Sequence, residues 1–253
     1  MAGQDGQRFV NLFRKQILDA FSESKELQGL VHSTKSRLKD PDHLRDKLYR
    51  KLAKCKETDV LFEITPENLF EKINDLAGIR LLHLYTKQIK EIDAEIKRIL
   101  GEMGIEIIEG PFARTWDDES RTFFVNAGIA TQESPTMYTS VHYVVASKSK
   151  TLVTCEIQVR TLMEEVWGEV DHTINYPHKV DDVACSEQIR ALARSTSSAT
   201  RLVDSIFATV ADLKRRKGAP AVGAGHPKAA NLVSDKRKLG RKLKKALPQR
   251  GKR

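Results

Sequence analysis

The chain of 253 residues is 40% hydrophobic and 30% charged, which fits a globular protein with one sizeable core and excludes a fibrous or low-complexity chain. Its three cysteines, Cys55, Cys155 and Cys185, are widely spaced and form no C-x-x-C pair, so neither a disulfide framework nor a zinc cluster is indicated and a reducing cytoplasm is expected. The net charge of +9 is concentrated at one end: fifteen Lys/Arg and one acid, Asp235, lie between Lys214 and Arg253, whereas residues 1–213 hold 28 basic against 33 acidic groups.

In chain order, the opening run MAGQDGQRFVNLFRKQILDAF has Arg8, Arg14 and Lys15 interrupting every apolar stretch, so no signal peptide is expected, and no later segment has the length to cross a membrane. Residues 6–32 and 41–56 carry helical periodicity, the second opening on Asp40-Pro41. AGIRLLHLY has strand length, and KQIKEIDAEIKRILGEMG is an amphipathic helix with Ile89, Ile92, Ile96 and Ile99 on one stripe and Gly104 ending it. IEIIEGPF, RTFFVNAGIA, YTSVHYVVAS and LVTCEIQVR follow as four strand-like segments separated by turn residues. Helices over 161–176 and about 186–216 close the core; in the last, Leu192, Thr196, Ala199, Val203, Ile206, Val210 and Leu213 form a seam that suits core packing or a homo-oligomer contact. RRKGAPAVGAGHPKAAN and KRKLGRKLKKALPQRGKR then read as a flexible linker and a polybasic tail, either a solvated end or a contact for RNA or the ribosome. The expected fold is α/β (α+β): a mixed sheet of about five strands flanked by helices with a long C-terminal helix. The expected divisions are an N-terminal helical extension over 1–29, a domain over 30–216 and the tail over 217–253.

Polar groups interrupt these strands at four places. SRLKDPDHLRDK sets Arg37, Lys39, Arg45 and Lys47 around a helix start, where cations and free backbone amides together suit a polyphosphate, although a charged surface helix has the same pattern. NDLAGIR sets Asp75 just before a buried strand and Arg80 within it. MYTSVHY aligns Tyr138, Ser140 and His142 on one strand face. TCEIQVRTLMEEVWGEVDHTINY alternates Glu156, Gln158 and Arg160 with Ile157 and Val159, then changes period at Leu162, Met163, Val166, Trp167 and Val170, as a strand with a polar face followed by a helix.

Together and in this order, D-x-x-G-I-R, Y-x-S-x-H and E-I-Q-V-R-T resemble the synthetase domain of the RelA/SpoT family over about residues 30–180. The resemblance implies a nucleotidyltransferase-like sheet that moves the β,γ-pyrophosphate of ATP onto the ribose 3′-hydroxyl of GDP or GTP with Mg²⁺. No separate hydrolase module is expected, as in a small alarmone synthetase. It further implies that Asp75 is a Mg²⁺ ligand and Glu156 a ligand or the general base. Arg37, Lys39 and Lys47 match the donor-nucleotide motif, with Arg80 and Arg160 as further phosphate-binding cations. Tyr138 would stack on the acceptor base, with Ser140, His142, Gln158 and Glu165 near the acceptor. Three positions depart from the family: Met137 stands where Gly is usual, His43 where Ser is frequent, and Glu165 where short synthetases commonly carry Asn. A carboxylate at 165 would accept from guanine N1–H and N2–H₂ together. Two further readings stay open: a toxin-type synthetase that pyrophosphorylates the 3′ end of tRNA or makes adenine alarmones, and an inactive nucleotide- or RNA-binding module.

Overall fold

In the computed structural model, which describes residues 2–149, 152–176 and 179–218, the first helical region is two helices, α1 (Ala2–Glu23) and α2 (Lys25–Leu30). Ser24 breaks them: its hydroxyl accepts from Leu27 N, which caps α2, and donates to Glu95. There follow β1 (Ser33–Leu38), α3 (Pro41–Glu57), α4 (Leu69–Lys72), β2 (Ala77–His83), a short 3₁₀ turn (Thr86–Gln88) and α5 (Ile89–Glu102). Next come β3 (Glu106–Thr115), α6 (Asp118–Asn126), β4 (Ala130–Glu133), β5 (Ser140–Ala146), β6 (Thr154–Thr161), α7 (Leu162–Asn175) and α8 (Val183–Gly218). The chain divides into two units, the first Met1–Ala208 and the second beginning at Thr209; residues 219–253, where most of the expected basic tail falls, lie outside the described residues.

The sheet has six strands in the order β1-β2-β6-β5-β3-β4, with β2/β6 and β3/β4 parallel and the other neighbours antiparallel, so the expected mixed sheet is present. Two elements differ from their sequence reading. STKSRL, which carries no apolar alternation, is the edge strand β1, held by pairing with β2. RTFFVNAGIA is mostly helix α6, because Asp117 accepts from Glu119 N as its N-cap and Asp118 and Glu119 place negative charge in the first turn. Gly128, at φ +80°, reverses the chain before β4.

One face of the sheet is closed by α1 and α5. Val10, Phe13, Ile17 and Phe21 of α1 and Ile89, Ile92, Ile96 and Ile99 of α5 share one buried core with Ile79, Leu81, Tyr143, Val145, Ile157 and Val159 from alternate strand positions. A second, smaller cluster lies under α7, where buried Trp167 packs with Ile189 and Ala193 of α8 and donates from Nε1 to Ile189 O. The α8 seam is buried at Thr196, but Ile206, Val210 and Leu213 are exposed. Close approach dictates one glycine: a Cβ on Gly110 would lie 2.3 Å from His142 O, at the register irregularity that returns Phe112 to its place opposite His142. Among the described residues, no helix is long and apolar enough to cross a membrane.

Candidate active site

The face left open by α1 and α5 carries two adjacent rungs of polar side chains. Strand register aligns Arg37, Gly78 and Glu156 across β1, β2 and β6, and two positions along it aligns Lys35, Arg80, Gln158 and His142 across β1, β2, β6 and β5. Residues directly opposite in a sheet share a face, so one short patch of backbone collects acid, amide and base. With α7, these rungs enclose a cleft of about 520 Å³, and Arg37, Asp75, Arg80, Tyr138, Glu156, Gln158 and Arg160 line it. Seven of the twelve residues singled out in the sequence therefore meet in one place.

Asp75 precedes β2 and meets two lysines of the expected donor motif: Lys39 Nζ donates to Oδ2 at 2.7 Å and Lys47 Nζ lies 2.7 Å from Oδ1. Burial pushes its carboxyl up, but the two ammonium groups outweigh burial and hold the carboxyl below its usual value. The Lys47 ammonium thus holds the second, buried oxygen, Oδ1, as an ion pair. Glu156 is built in a similar way. Burial raises its carboxyl, His142 and Gln158 lower it, and the balance is a group ionised at neutral pH. His142 Nδ1 stands 3.0 Å from Oε1 and Gln158 Nε2 donates to Oε2 at 2.9 Å. The buried Nε2 of His142 has no hydrogen-bond partner of its own.

The remaining expected residues have different surroundings. Tyr138 lies in the turn before β5 rather than on the strand, with its hydroxyl 3.3 Å from Gln158 Oε1 and Arg160 Cζ 5.5 Å from its ring centre. Ser140 is buried and donates to Val159 O; it opens on a separate cavity of about 190 Å³. His142 sits behind Glu156, stacked on Phe112 at 5.6 Å. Glu165 is buried, and Lys35, Arg80 and Arg160 take its oxygens, so it anchors cations and is absent from the cleft lining. At the start of α3, Asp40 Oδ1 accepts from the backbone amides of Asp42 and His43, which removes the free amides expected to receive phosphate there.

The cleft also contains residues that the sequence reading passed over. Lys35 alternates with Arg37, a signal hidden while β1 was unrecognised, and Glu169 is one helical turn beyond Glu165. Tyr176 lines the cleft at the end of α7, stacked on His172 at 4.5 Å with His43 at its edge and Arg50 of α3 over its ring.

Residues 36–181, more than half of the chain, match the family described as a region found in RelA/SpoT proteins. The chain belongs to the RelA/SpoT family. Its sequence is similar to that of GTP pyrophosphokinase YwaC of Bacillus subtilis (strain 168), 27% identical over 179 residues, which is 66% of this chain and 72% of that protein. Its fold is similar to that of a GTP pyrophosphokinase family protein from Streptococcus pneumoniae (19% identity, TM-score 0.58, 83% of this chain and 93% of that one). It is also similar to small alarmone synthetase 1 from Bacillus subtilis (16% identity, TM-score 0.53, 81% and 97%). The same synthetase bound to its product pppGpp matches with a TM-score of 0.51 at 16% identity, over 83% and 94% of the two chains. Within this RelA/SpoT fold Met137 has φ +55°, the left-handed region that glycine enters without steric cost, so the residue that departs from the family's usual Gly keeps a glycine-like backbone.

Proposed function

We propose that this chain is a GTP pyrophosphokinase that transfers the β,γ-pyrophosphate of ATP to the ribose 3′-hydroxyl of GDP or GTP. The observation that carries this reading is the meeting of Asp75, Glu156, Arg37, Arg80 and Arg160 in a cleft with the Tyr138 ring on its wall. The 3′-oxygen attacks the β-phosphorus, the bond to the α,β-bridging oxygen breaks, and AMP leaves. Such a transfer demands positioning and charge neutralisation more than covalent chemistry from the protein. Arg37, Arg80 and Arg160 supply fixed positive charge for phosphate oxygens, and Tyr138 offers a plate for the acceptor base. Ionised Glu156 is suited to take the proton of the 3′-hydroxyl or to share a cation, since each oxygen accepts one identified hydrogen bond and keeps further lone-pair capacity.

Mg²⁺ suits the donor set. Among the described residues, no cluster of three His, Cys, Asp or Glu stands ready for a metal ion, and Mg²⁺ in nucleotide sites takes one or two carboxylates plus phosphate oxygens and water. Asp75 and Glu156 would hold it, and when bound it would neutralise charge on the triphosphate. The lysines on Asp75 fit an exchange in which substrate phosphate draws Lys39 and Lys47 away and frees the carboxylate.

The test is incubation of the purified full chain with γ-labelled ATP and Mg²⁺ plus GDP, GTP, AMP or total tRNA. Label on GDP and GTP is expected; label confined to tRNA or AMP, or none with any acceptor, would overturn the proposal.

A further inference from the structure

The cations of the cleft are already partly neutralised. Lys35 and Arg80 face each other across β1 and β2, and the first two turns of α7 lower two carboxylates one helical turn apart onto them. Glu165 is the inner one: its side chain is 7% exposed and it touches Lys35 at 2.8 Å, Arg80 at 3.0 Å and Arg160. Glu169 is the outer one, with 53% exposure, 2.8 Å from Arg80 and 3.8 Å from Lys35. The two acids differ in what their removal would do. Taking away Glu165 would leave buried Arg160 without its carboxylate, a strongly destabilising change. Glu169 gains little for the fold, because a half-exposed ion pair is screened by solvent and must hold two long side chains in place. Its place is also informative: Lys35, Arg80 and Glu169 all line the cleft, so a phosphate that engages these two cations comes up against the Glu169 carboxylate already paired with them.

We propose that Glu169 is an internal counter-anion of the nucleotide cleft, which incoming nucleotide phosphate must displace from Arg80 and Lys35, so that it sets how strongly binding depends on the number of phosphates. This rests on the proposed nucleotide chemistry of the cleft and adds to it a specificity-determining residue. Each phosphate charge near Lys35 and Arg80 competes with the carboxylate or is repelled by it, and the handicap grows from mono- to triphosphate. The displaced side chain has solvent beside it, so it swings away without burying a charge.

The test measures binding rather than turnover. The full chain and Glu169→Gln are titrated calorimetrically at fixed ionic strength with GMP, GDP, GTP and a non-hydrolysable ATP analogue. Glu187→Gln, which removes an exposed acid paired with Arg190 outside the cleft lining, serves as a control. Glu169→Gln is expected to tighten triphosphate binding roughly two- to fivefold, the range of a half-exposed ion pair, with a smaller gain for GDP and the least for GMP. A graded gain across the guanine nucleotides assigns the displaced carboxylate to acceptor phosphates. A gain for the ATP analogue alone assigns it to the donor, and either result supports the gate. Equal change for GMP and GTP together with no gain for the ATP analogue, or a change matched by Glu187→Gln, overturns it. The labelled-ATP assay on the unaltered chain is read separately, so failure of the transfer reading is distinguishable from failure of the gate.

Discussion

Glu156 and Asp75 are both carboxylates held ionised in partly buried positions, but by different partners. The His142 ring and the Gln158 amide support Glu156, while the ammonium groups of Lys39 and Lys47 support Asp75. Substrate phosphate would compete for the exposed-side lysine Lys47 and for Lys39 and leave the ring and amide at Glu156 in place, so Asp75 changes partners on binding and Glu156 keeps its own. Asp75→Asn or Glu156→Gln is expected to cost several kcal/mol in the transition state, a fall of at least about 10²-fold in kcat/KM, in a chain that still melts cooperatively although Asp75→Asn, which uncovers Lys39, melts lower. Steady-state rates beside a melting curve check this, and near-native turnover in either variant would remove that residue from the chemistry. Tyr138 has a different task. Its ring bears on the cleft beside Arg160, so Tyr138→Ala is expected to weaken acceptor binding by about 1–3 kcal/mol while sparing ATP. Equal weakening of both nucleotides would show that the ring supports the cleft as a whole. Guanine choice by Glu165 loses its footing because three cations engage that carboxylate. Loss of Arg160 alignment, read as weaker binding of all nucleotides, is the expected result of Glu165→Gln.

At the scale of elements, α7 carries a further titrating group in Glu164, buried beside the separate cavity with Thr139 N donating to Oε2. Burial pushes its carboxyl up to about 7, against which the Thr139 amide and Arg160 act only partly. A carboxyl whose folded value is raised is favoured in its neutral form, so its stabilising contribution is complete below about pH 4.5 and is lost as pH rises toward 7 and beyond. The loss amounts to roughly 3 kcal/mol by about pH 8, at about 1.4 kcal/mol per unit. Glu164→Gln keeps an acceptor for Thr139 N, so the variant is expected to melt higher than the native chain at pH 8 and to lose the advantage at pH 5. Melting curves that fall in parallel across that range would rule this out. Glu164 stands next to Glu165 in the sequence, and nothing in MEEVWG separates a raised acid from one held ionised by cations. The difference lies in which side of α7 faces β1 and β2, a tertiary fact. The same limit governed other elements. Period-2 alternation in TCEIQVR and the apolar stripe of α5 read directly as strand and helix because burial imposes those periods. STKSRL has no such period because one sheet face there meets a polar cleft, and RTFFVN suggested a strand through its adjacent aromatics while Asp117 capped a helix. Motif order brought Asp75, Glu156, Arg80 and Tyr138 to one cleft, whereas Lys35 and Glu169 became visible only through the pairing of β1 with β2 and the placement of α7.

Across the whole chain, charge is divided unevenly: residues 1–213 hold five more acids than bases, and Lys214–Arg253 hold fifteen bases and one acid. The cleft brings its own local cations, Lys35, Arg37, Arg80 and Arg160, so the net negative charge of the larger part does not prevent it from receiving a nucleotide. A free guanine nucleotide as acceptor therefore makes no demand on the basic end. A polynucleotide makes a strong one, because each phosphate neutralised releases counterions and steepens the salt dependence of binding by about 0.7 of a log–log unit for single strands and 0.9 for duplex. Removing residues 219–253 is expected to leave transfer to GDP within about twofold, since fixed cations beside the substrate outweigh screened distant ones. The same removal is expected to weaken RNA binding and flatten its salt slope by several units if the tail holds several phosphates. Nucleotide transfer and RNA binding measured across a series of salt concentrations, for the full and shortened chains, check both statements at once. Loss of GDP labelling from a shortened chain that still melts cooperatively would make the basic end part of the catalytic apparatus, and a salt slope unchanged by its removal would take RNA away from it.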